Sequence, residues 1–224
     1  MARTKEIIIK VIPSKIANNF VKKHHYSGKV VPNSTLHFGA FLDNKLHGVM
    51  SFGPSINKKG TINLVKGTGW NEFLELNRMA FDEYLPRNSE SRCISIALKL
   101  IKKNAPQIKW VISFADGCQC GDGTIYRASG FKLVGITQNT AIRINPETNE
   151  KIHIIQAHHL KITSKEFRSW KPITGNMLKY IYFIDKNKEK DLTMPIIPFS
   201  KIDELNAGMY KGEKITQKER HVDK

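Results

Sequence analysis

Apolar residues recur along this chain with two spacings, and the switches between them mark out its elements. Glu6–Ile12 is rich in Ile and Val and predicts a first strand. Ile16, Ala17, Phe20 and Val21 then share one face at helical spacing, with Ser14 placed to cap the helix. Lys22, Lys23, His24 and His25 crowd its last turn, where cations suit the helix dipole, and Tyr26-Ser27-Gly28 ends it. Leu36–Leu42 and Leu46–Phe52 predict two strands joined as a hairpin by Asp43-Asn44-Lys45. Gly53–Gly60 reads as a basic loop and Gly67–Trp70 as a turn. Phe73–Phe81 (FLELNRMAF) reads as a strand leading into a site, because neither of its faces is cleanly apolar. After Arg87–Arg92 (RNSESR), Ile94, Ala97, Leu98 and Ile101 at i, i+3, i+4 and i+7 predict a second helix capped by Ser89 or Ser91.

The stretch Lys109–Phe131 organises the rest. Trp110, Val111, Ile112, Phe114 and Ala115 form an apolar run of strand length that stops at Asp116-Gly117, a turn signal. Gly121 and Gly123 allow a tight turn and close approach of a ligand, Thr124–Ala128 reads as a short helix, and Gly130 fits the position just past its end. An Asp at the carboxyl end of a core strand, before a Gly-rich turn and a helix, is where open α/β sheets place ligands; a plain turn cap is an equally good reading of Asp116. Phe131–Thr137 and Lys151–Ala157 read as strands around an Asn145–Asn149 turn. A helix over Ser164–Ser169 and a strand over Tyr180–Ile184 follow. Pro195 and Pro198 argue against a central strand in MPIIPF, and the last residues read as a frayed polar tail.

Composition sharpens this picture in two ways. Lys plus Arg number 36 against 20 for Asp plus Glu, a net charge of +16, which points to a polyanionic partner, nucleic acid ahead of membrane. Three cysteines, with Cys118 and Cys120 spaced C-x-C and Cys93 alone, make neither a disulfide framework nor a zinc site. A reducing, cytoplasmic setting is expected, with no signal peptide and no membrane span. RNSESR, with two arginines and two hydroxyls at a helix start, makes Arg87, Ser89, Ser91 and Arg92 a candidate anion or cofactor site.

The order strand, helix, hairpin, strand, basic loop, helix, strand, helix, strand, strand resembles the GNAT acyltransferase fold. That resemblance implies an α/β chain with a mixed central sheet flanked by helices. Residues 1–160 would be the catalytic core, with 161–224 a C-terminal extension packed on it. ELNRMAF, PRNSESRCISIALKLIKK, ISFADG, GTIYRASGF, MPIIPFSKID and MYKG are together similar to the Mom family of phage DNA-modification proteins. The family resemblance implies transfer of a carbamoylmethyl group to N6 of adenine in double-stranded DNA, protecting phage genomes from restriction. It places functional positions on His25, Tyr26, Arg78, Asp116 and Tyr126. It also implies iron, for which His25, Tyr26 and Asp116 supply imidazole, phenolate and carboxylate.

These residues suit that chemistry. Adenine N6 is a poor nucleophile buried in the duplex, so the base must be exposed and held, with Tyr26 and Tyr126 as candidates for stacking or proton handling. Asp116 could polarise the amine or take its proton. Arg78, inside an apolar strand, requires an anion such as Asp116, Glu75, a donor carboxylate or a phosphate. Lys58, Lys59, Lys66, Arg87 and Arg92 suit DNA phosphates. The donor stays open between acetyl-CoA, a glycine-derived compound and an aminoacyl carrier, as does the oligomeric state. Two other readings remain: a GNAT N-acetyltransferase acting on a protein or small amine, and a non-catalytic nucleic-acid-binding module.

Overall fold

The computed structural model describes residues 3–216 and 219; the frayed tail expected of the last residues lies outside them. The strands run β1 (Ile8–Val11), β2 (Leu36–Leu42), β3 (Lys45–Gly53), β4 (Phe73–Phe81), β5 (Trp110–Gly117), β6 (Lys132–Gln138), β7 (Ile142–Ile144), β8 (Lys151–His153), β9 (Lys171–Pro172) and β10 (Asn176–Phe183). The helices are α1 (Ser14–His24), α2 (Lys58–Ile62), α3 (Ser89–Asn104), α4 (Thr124–Ala128), α5 (Ile154–His159), α6 (Ser164–Ser169) and α7 (Ser200–Glu204). Seven strands form one mixed sheet in the order β1-β2-β3-β4-β5-β10-β6, and β8-β7-β9 form a second, three-stranded sheet. The expected mixed α/β architecture, a central sheet flanked by helices, is what the chain adopts.

Contacts divide the chain into two units. The first comprises the chain up to Phe114, Thr124–Val134 and Lys179–Ile197; the second comprises Ala115–Gly123, Gly135–Leu178 and the chain from Pro198 on. In the first, α1 packs on β2, β3 and β4, with Ala17 and Val21 meeting Val49 and Ala80. A second cluster joins Leu64, Val65, Phe73, Trp110, Ile112, Val134, Ile181 and Phe183, its centre the stacked rings of Phe73 and Trp110 at 4.4 Å. In the second unit Ile152, Ala157, Phe167 and Trp170 form the core that backs the small sheet.

Local chemistry explains most element ends. Asp43 and Asn44 both take left-handed φ, 50° and 60°, so a two-residue turn joins β2 and β3, the geometry that matches strand twist. Lys45, expected in the turn, already pairs with Leu42. Both expected serine caps are corrected. Pro13 holds the cap position of α1 and Ser14 is its first helical residue; the proline ring presets φ, and the Pro13 carbonyl accepts the first two helical N–H bonds. At α3 the cap is Asn88, at φ 68°. Ser89 and Ser91 donate their hydroxyls backward to the Pro86 and Asn88 carbonyls, so neither accepts from the helix. The basic loop also shortens, because Asn57 Oδ1 accepts from Gly60 N at 3.1 Å and starts α2. The strand expected over Lys151–Ala157 ends at His153, whose Nδ1 accepts from Ile155 N at 3.2 Å and turns the chain into α5.

Two departures from regular pairing shape the site. Ser51 pairs with Arg78 but Phe52 pairs with Leu76, so Asn77 is the extra residue of a β-bulge in β4. In a regular strand residues three apart face opposite ways. The bulge instead puts Glu75, opposite Gly53, on the same face as Arg78, opposite Ser51. β4 and β5 run parallel, but pair only from Phe73↔Trp110 to Glu75↔Ile112. The next contact is a side chain reaching across: Ser113 Oγ donates to the Leu76 carbonyl at 3.2 Å. β4 remains paired with β3 as far as Phe81, so its other edge is released.

Candidate active site

A polar row crosses three strands of the first unit. His37 stands opposite Ser51, and Ser51 opposite Arg78; laterally paired residues share a face of the sheet. The next row, Gly39, Val49 and Ala80, includes the two residues that pack on α1. The polar row therefore lies on the face α1 covers.

Arg78 is fixed by backbone. Its Nε donates to the Lys29 carbonyl at 3.0 Å and Nη1 to the Asn77 carbonyl at 3.1 Å. Among the described residues it forms no salt bridge with a carboxylate, although Glu75 is near enough to feel its charge. Glu75 is pushed above the usual carboxyl range by burial, against the opposing effects of Ser55 and Asn77 side-chain hydrogen bonds and of Arg78. Asn77 in turn accepts from Ser34 Oγ at 3.1 Å. Gly53 lies so close that a Cβ there would stand 2.3 Å from the Asn33 carbonyl oxygen and 2.8 Å from Asn77 Oδ1.

His25 follows α1. Burial first, then the Arg78 charge, lowers its pKa from 6.5 to about 4, so the ring is neutral at physiological pH. Ser27 N donates to its Nδ1 at 3.1 Å. An amide can only donate, so Nδ1 is the acceptor and the ring proton sits on Nε2. Tyr26, 50% exposed, tilts its ring against His25 at 4.3 Å. His37 is only 4% exposed. Its Nδ1 lies 2.8 Å from Ser51 Oγ, while Nε2 is buried and has no hydrogen-bond partner among the described residues. Burial lowers its pKa, and the nearby Ser34 carbonyl acts against that shift. Sequence reasoning passed over His37, Ser51 and Asn77. A signal was present: His37 and Ser51 are polar residues in largely apolar strands, and Asn77 sits between Glu75 and Arg78 in a strand of mixed character.

The other expected positions lie elsewhere. Tyr126 belongs to the first unit but to its core: it is 8% exposed, with its ring 5.4 Å from Phe131 and 5.3 Å from Tyr180. Arg92 Nε donates to the Thr4 carbonyl at 2.8 Å, and Arg87 is exposed at the start of α3. Asp116 belongs to the second unit, where Oδ1 accepts from Cys118 N at 3.0 Å and Oδ2 from Gln119 Nε2 at 2.9 Å. Its carbonyl gathers the amides of Gln119, Cys120 and Gly121. Asp116 thus holds the Gly-rich turn as a cap. Gly123 takes a left-handed φ of 86°, whereas Gly121 does not need one. Burial and the Asp116 charge push the Cys118 thiol up to about 12, and Cys120 also rises; both stay protonated and poorly nucleophilic. A residue the sequence did not flag anchors this turn. Asp122, 1% exposed, exchanges backbone and side-chain hydrogen bonds with Met209, and Gly212 N donates to the Cys120 carbonyl at 2.9 Å. The MYKG segment is thereby tied to DGCQCGDG.

The geometry gives no support to iron at the expected set. Among the described residues no three His, Cys, Asp or Glu side chains gather as a metal-binding group. His25 Nδ1 is taken by Ser27, and both Asp116 carboxylate oxygens are already hydrogen-bonded. Among the described residues no helix is long and apolar enough to cross a membrane.

Known proteins can be set beside this geometry. The chain is similar to solved acetyltransferases: an IAA acetyltransferase from Bacillus cereus (TM-score 0.47, 13% identity, 79% of this chain and 99% of that one). A GNAT family acetyltransferase from Elizabethkingia anophelis, solved with acetyl-CoA bound, gives TM-score 0.46, 14% identity and coverage of 80% and 98%. Scores this low bear on neither substrate nor cofactor. The sequence relation is stronger. The methylcarbamoylase Mom of Escherichia phage Mu is 33% identical over 202 residues, covering 84% of this chain and 80% of the phage protein. The Mom protein family matches residues 6–201, a span that includes His25, Tyr26, Arg78, Asp116 and Tyr126, and on that match the chain belongs to the Mom protein family.

Proposed function

We propose that this protein is a DNA-modifying transferase that places a carbamoylmethyl group on N6 of adenine and so shields phage or prophage DNA from restriction. One observation carries the reading at the site. Arg78 is held by two backbone carbonyls and closes no salt bridge among the described residues, so its charge stays available to an anion. A DNA phosphate or a donor carboxylate would supply one. Family membership and the name of the phage Mu relative support the same activity, and a net charge of +16 supports a DNA partner.

In this reading each residue has a task. Forming the bond from N6 to carbon breaks the donor's bond to that carbon, the electron pair leaving with the rest of the donor, and requires N6 to lose a proton. Within the second unit, Asp116 is proposed to polarise an amine or accept a proton. Arg78 and the Nε2–H of His25 would hold the anionic group, His25 as a neutral donor. Exposed Tyr26 offers a face for a base to stack on, whereas Tyr126, closed into the core, would act by supporting the wall behind it. The cofactor residues Arg87, Ser89, Ser91 and Arg92 keep one proposed role: Arg87 and the amides at the start of α3 would take phosphate, because the two serine hydroxyls are turned to carbonyls.

A second reading draws on a different observation. β4 and β5 part after Glu75 and Ile112, and diverging parallel strands expose backbone groups to a ligand near their carboxyl ends. An acetyl-CoA-like donor would suit that edge, in the DNA-modifying enzyme or in an N-acetyltransferase of other amines. The deciding experiment is nucleoside mass spectrometry on DNA from cells expressing the wild type, Arg78→Ala or Asp116→Asn. Carbamoylmethyladenosine in the wild type and its loss in both folded variants is expected. Unmodified adenosine throughout, with soluble wild-type protein, would overturn the DNA reading; acetyl-CoA binding without DNA would then favour the acetyltransferase.

A further inference from the structure

Three tryptophans occur in the chain, and two are core: Trp110 is fully buried and Trp170 is 7% exposed. Trp70 is 52% exposed. It stands on a turn held from several sides. Thr68 Oγ1 donates to the Val65 carbonyl at 2.7 Å and accepts from Trp110 Nε1 at 3.1 Å. Gly69 N donates to Glu72 Oε2 at 2.7 Å, and Glu72 N to the Gly69 carbonyl at 3.1 Å. Lys66 N donates to the Asp191 carbonyl at 2.8 Å. Gly67 adopts φ 65°, which a side chain would resist. The turn therefore fixes the backbone that carries the indole, which lowers part of the ordering cost of binding.

The charge around it is positive. Lys58 Nζ sits 4.3 Å from the centre of the Trp70 ring. Lys59, next to Lys58 in α2, and Lys66, four residues before Trp70, are exposed, and Lys188 Nζ reaches the Gly67 carbonyl. Against these four lysines stand Glu72, which the turn itself uses, and Asp191, which pairs with Lys188. A water-exposed aromatic ring with a cation over it and exposed lysines close by in sequence answers the two halves of a nucleotide: a flat base and a phosphate. Stacking of a base on an aromatic side chain tolerates any sequence, because every base has a flat face.

We propose that Trp70 with Lys58, Lys59 and Lys66 forms a stacking platform for an unstacked nucleotide of DNA. Bases inside a duplex expose no face, so the ligand is a single-stranded stretch or a base displaced from its pair. The identification of DNA as the partner rests on the DNA-modification reading; the platform itself rests on the turn, the ring and the lysines.

The protein supplies its own probe, since Trp70 is the exposed one of the three tryptophans. Full-length protein is titrated with a single-stranded oligodeoxynucleotide, its fully paired duplex, and heparin, a polyanion without bases. The single strand is expected to quench tryptophan emission strongly, the duplex less, and heparin to bind without quenching. Trp70→Ala should weaken single-strand binding roughly tenfold, with Trp70→Phe between the two. Lys58→Gln should reduce the salt dependence by about 0.7 in slope. Equal affinity of Trp70→Ala and wild type, or quenching by heparin matching that by DNA, overturns the platform. Mass spectrometry of cellular DNA separates the two ideas. Adenine modification by a wild type whose Trp70→Ala variant binds unchanged retains the function and discards the platform. Quenching by single strands without any adenine modification does the reverse.

Discussion

His25 shows how much a few ångströms of surroundings decide. The sequence places it at a basic helix end, where a protonated imidazole would be favoured. In the fold, burial and Arg78 hold it neutral, with a pKa of about 4. The sign of the linkage follows. Between about 4 and 6.5 the unfolded chain binds a proton that folded His25 refuses, so its contribution is complete above pH 6.5 and is lost as pH falls toward 4. Wild-type stability should therefore drop across that window by up to about 1.4 kcal/mol per pH unit from this residue. Urea denaturation from pH 4 to 7 should give a shallower slope for His25→Gln. A residual slope is expected from His37, whose pKa is shifted the same way. Arg78 was legible in the sequence because a charge among apolar neighbours demands a partner, whereas His25, at a basic helix end, was singled out only by the family resemblance. Their actual partners, carbonyls from Lys29 and Asn77 and an amide from Ser27, were not legible, because backbone groups carry no sequence signature.

At the level of elements, the bulge at Asn77 is the decisive feature. FLELNRMAF looked uneven because its polar residues fit no single alternating face; one inserted residue changes which of them share a face. Gly53 lies against this bulge. Gly53→Ala would drive a Cβ into the Asn33 carbonyl oxygen and Asn77 Oδ1, backbone on one side and the bulge residue on the other. It should cost about 1–3 kcal/mol in urea denaturation. It should also reduce DNA modification more than its stability loss explains, because Glu75 leans on Asn77. Gly121→Ala, where the nearest atom is 3.7 Å away, should be nearly neutral in both measurements. The hairpin turn at Asp43-Asn44 was readable locally, since its residue types suit left-handed φ, whereas Ser14 was misread because Pro13 holds the cap, and Ser89 and Ser91 because a hydroxyl can donate backward as well as accept forward.

For the whole molecule, Asp122 ties the C-terminal segment to the Gly-rich turn of the second unit. Asp122→Ala would leave Met209 N without its carboxylate partner in a buried place, at a cost of about 1–3 kcal/mol. Faster proteolytic cleavage beyond Pro198 than in the wild type is expected; identical digestion kinetics would mean that this hydrogen bond does not hold the segment. MYKG could be matched to a family from its letters, but its reason for being there depends on a contact 87 residues back along the chain. That contrast defines what the sequence by itself determined. Periodicity set the type of the long elements, turn chemistry joined β2 to β3, and residue counts fixed a charge of +16, because each depends only on neighbours or on sums. The tertiary structure alone decided that His37, Ser51 and Arg78 form one row, that Glu75 turns to join them, that β4 and β5 separate after three pairs, and that Trp70 stays in water while Trp110 does not. Each of these depends on register and packing between segments remote in the chain, and a shift of one residue in pairing reverses which side chains meet.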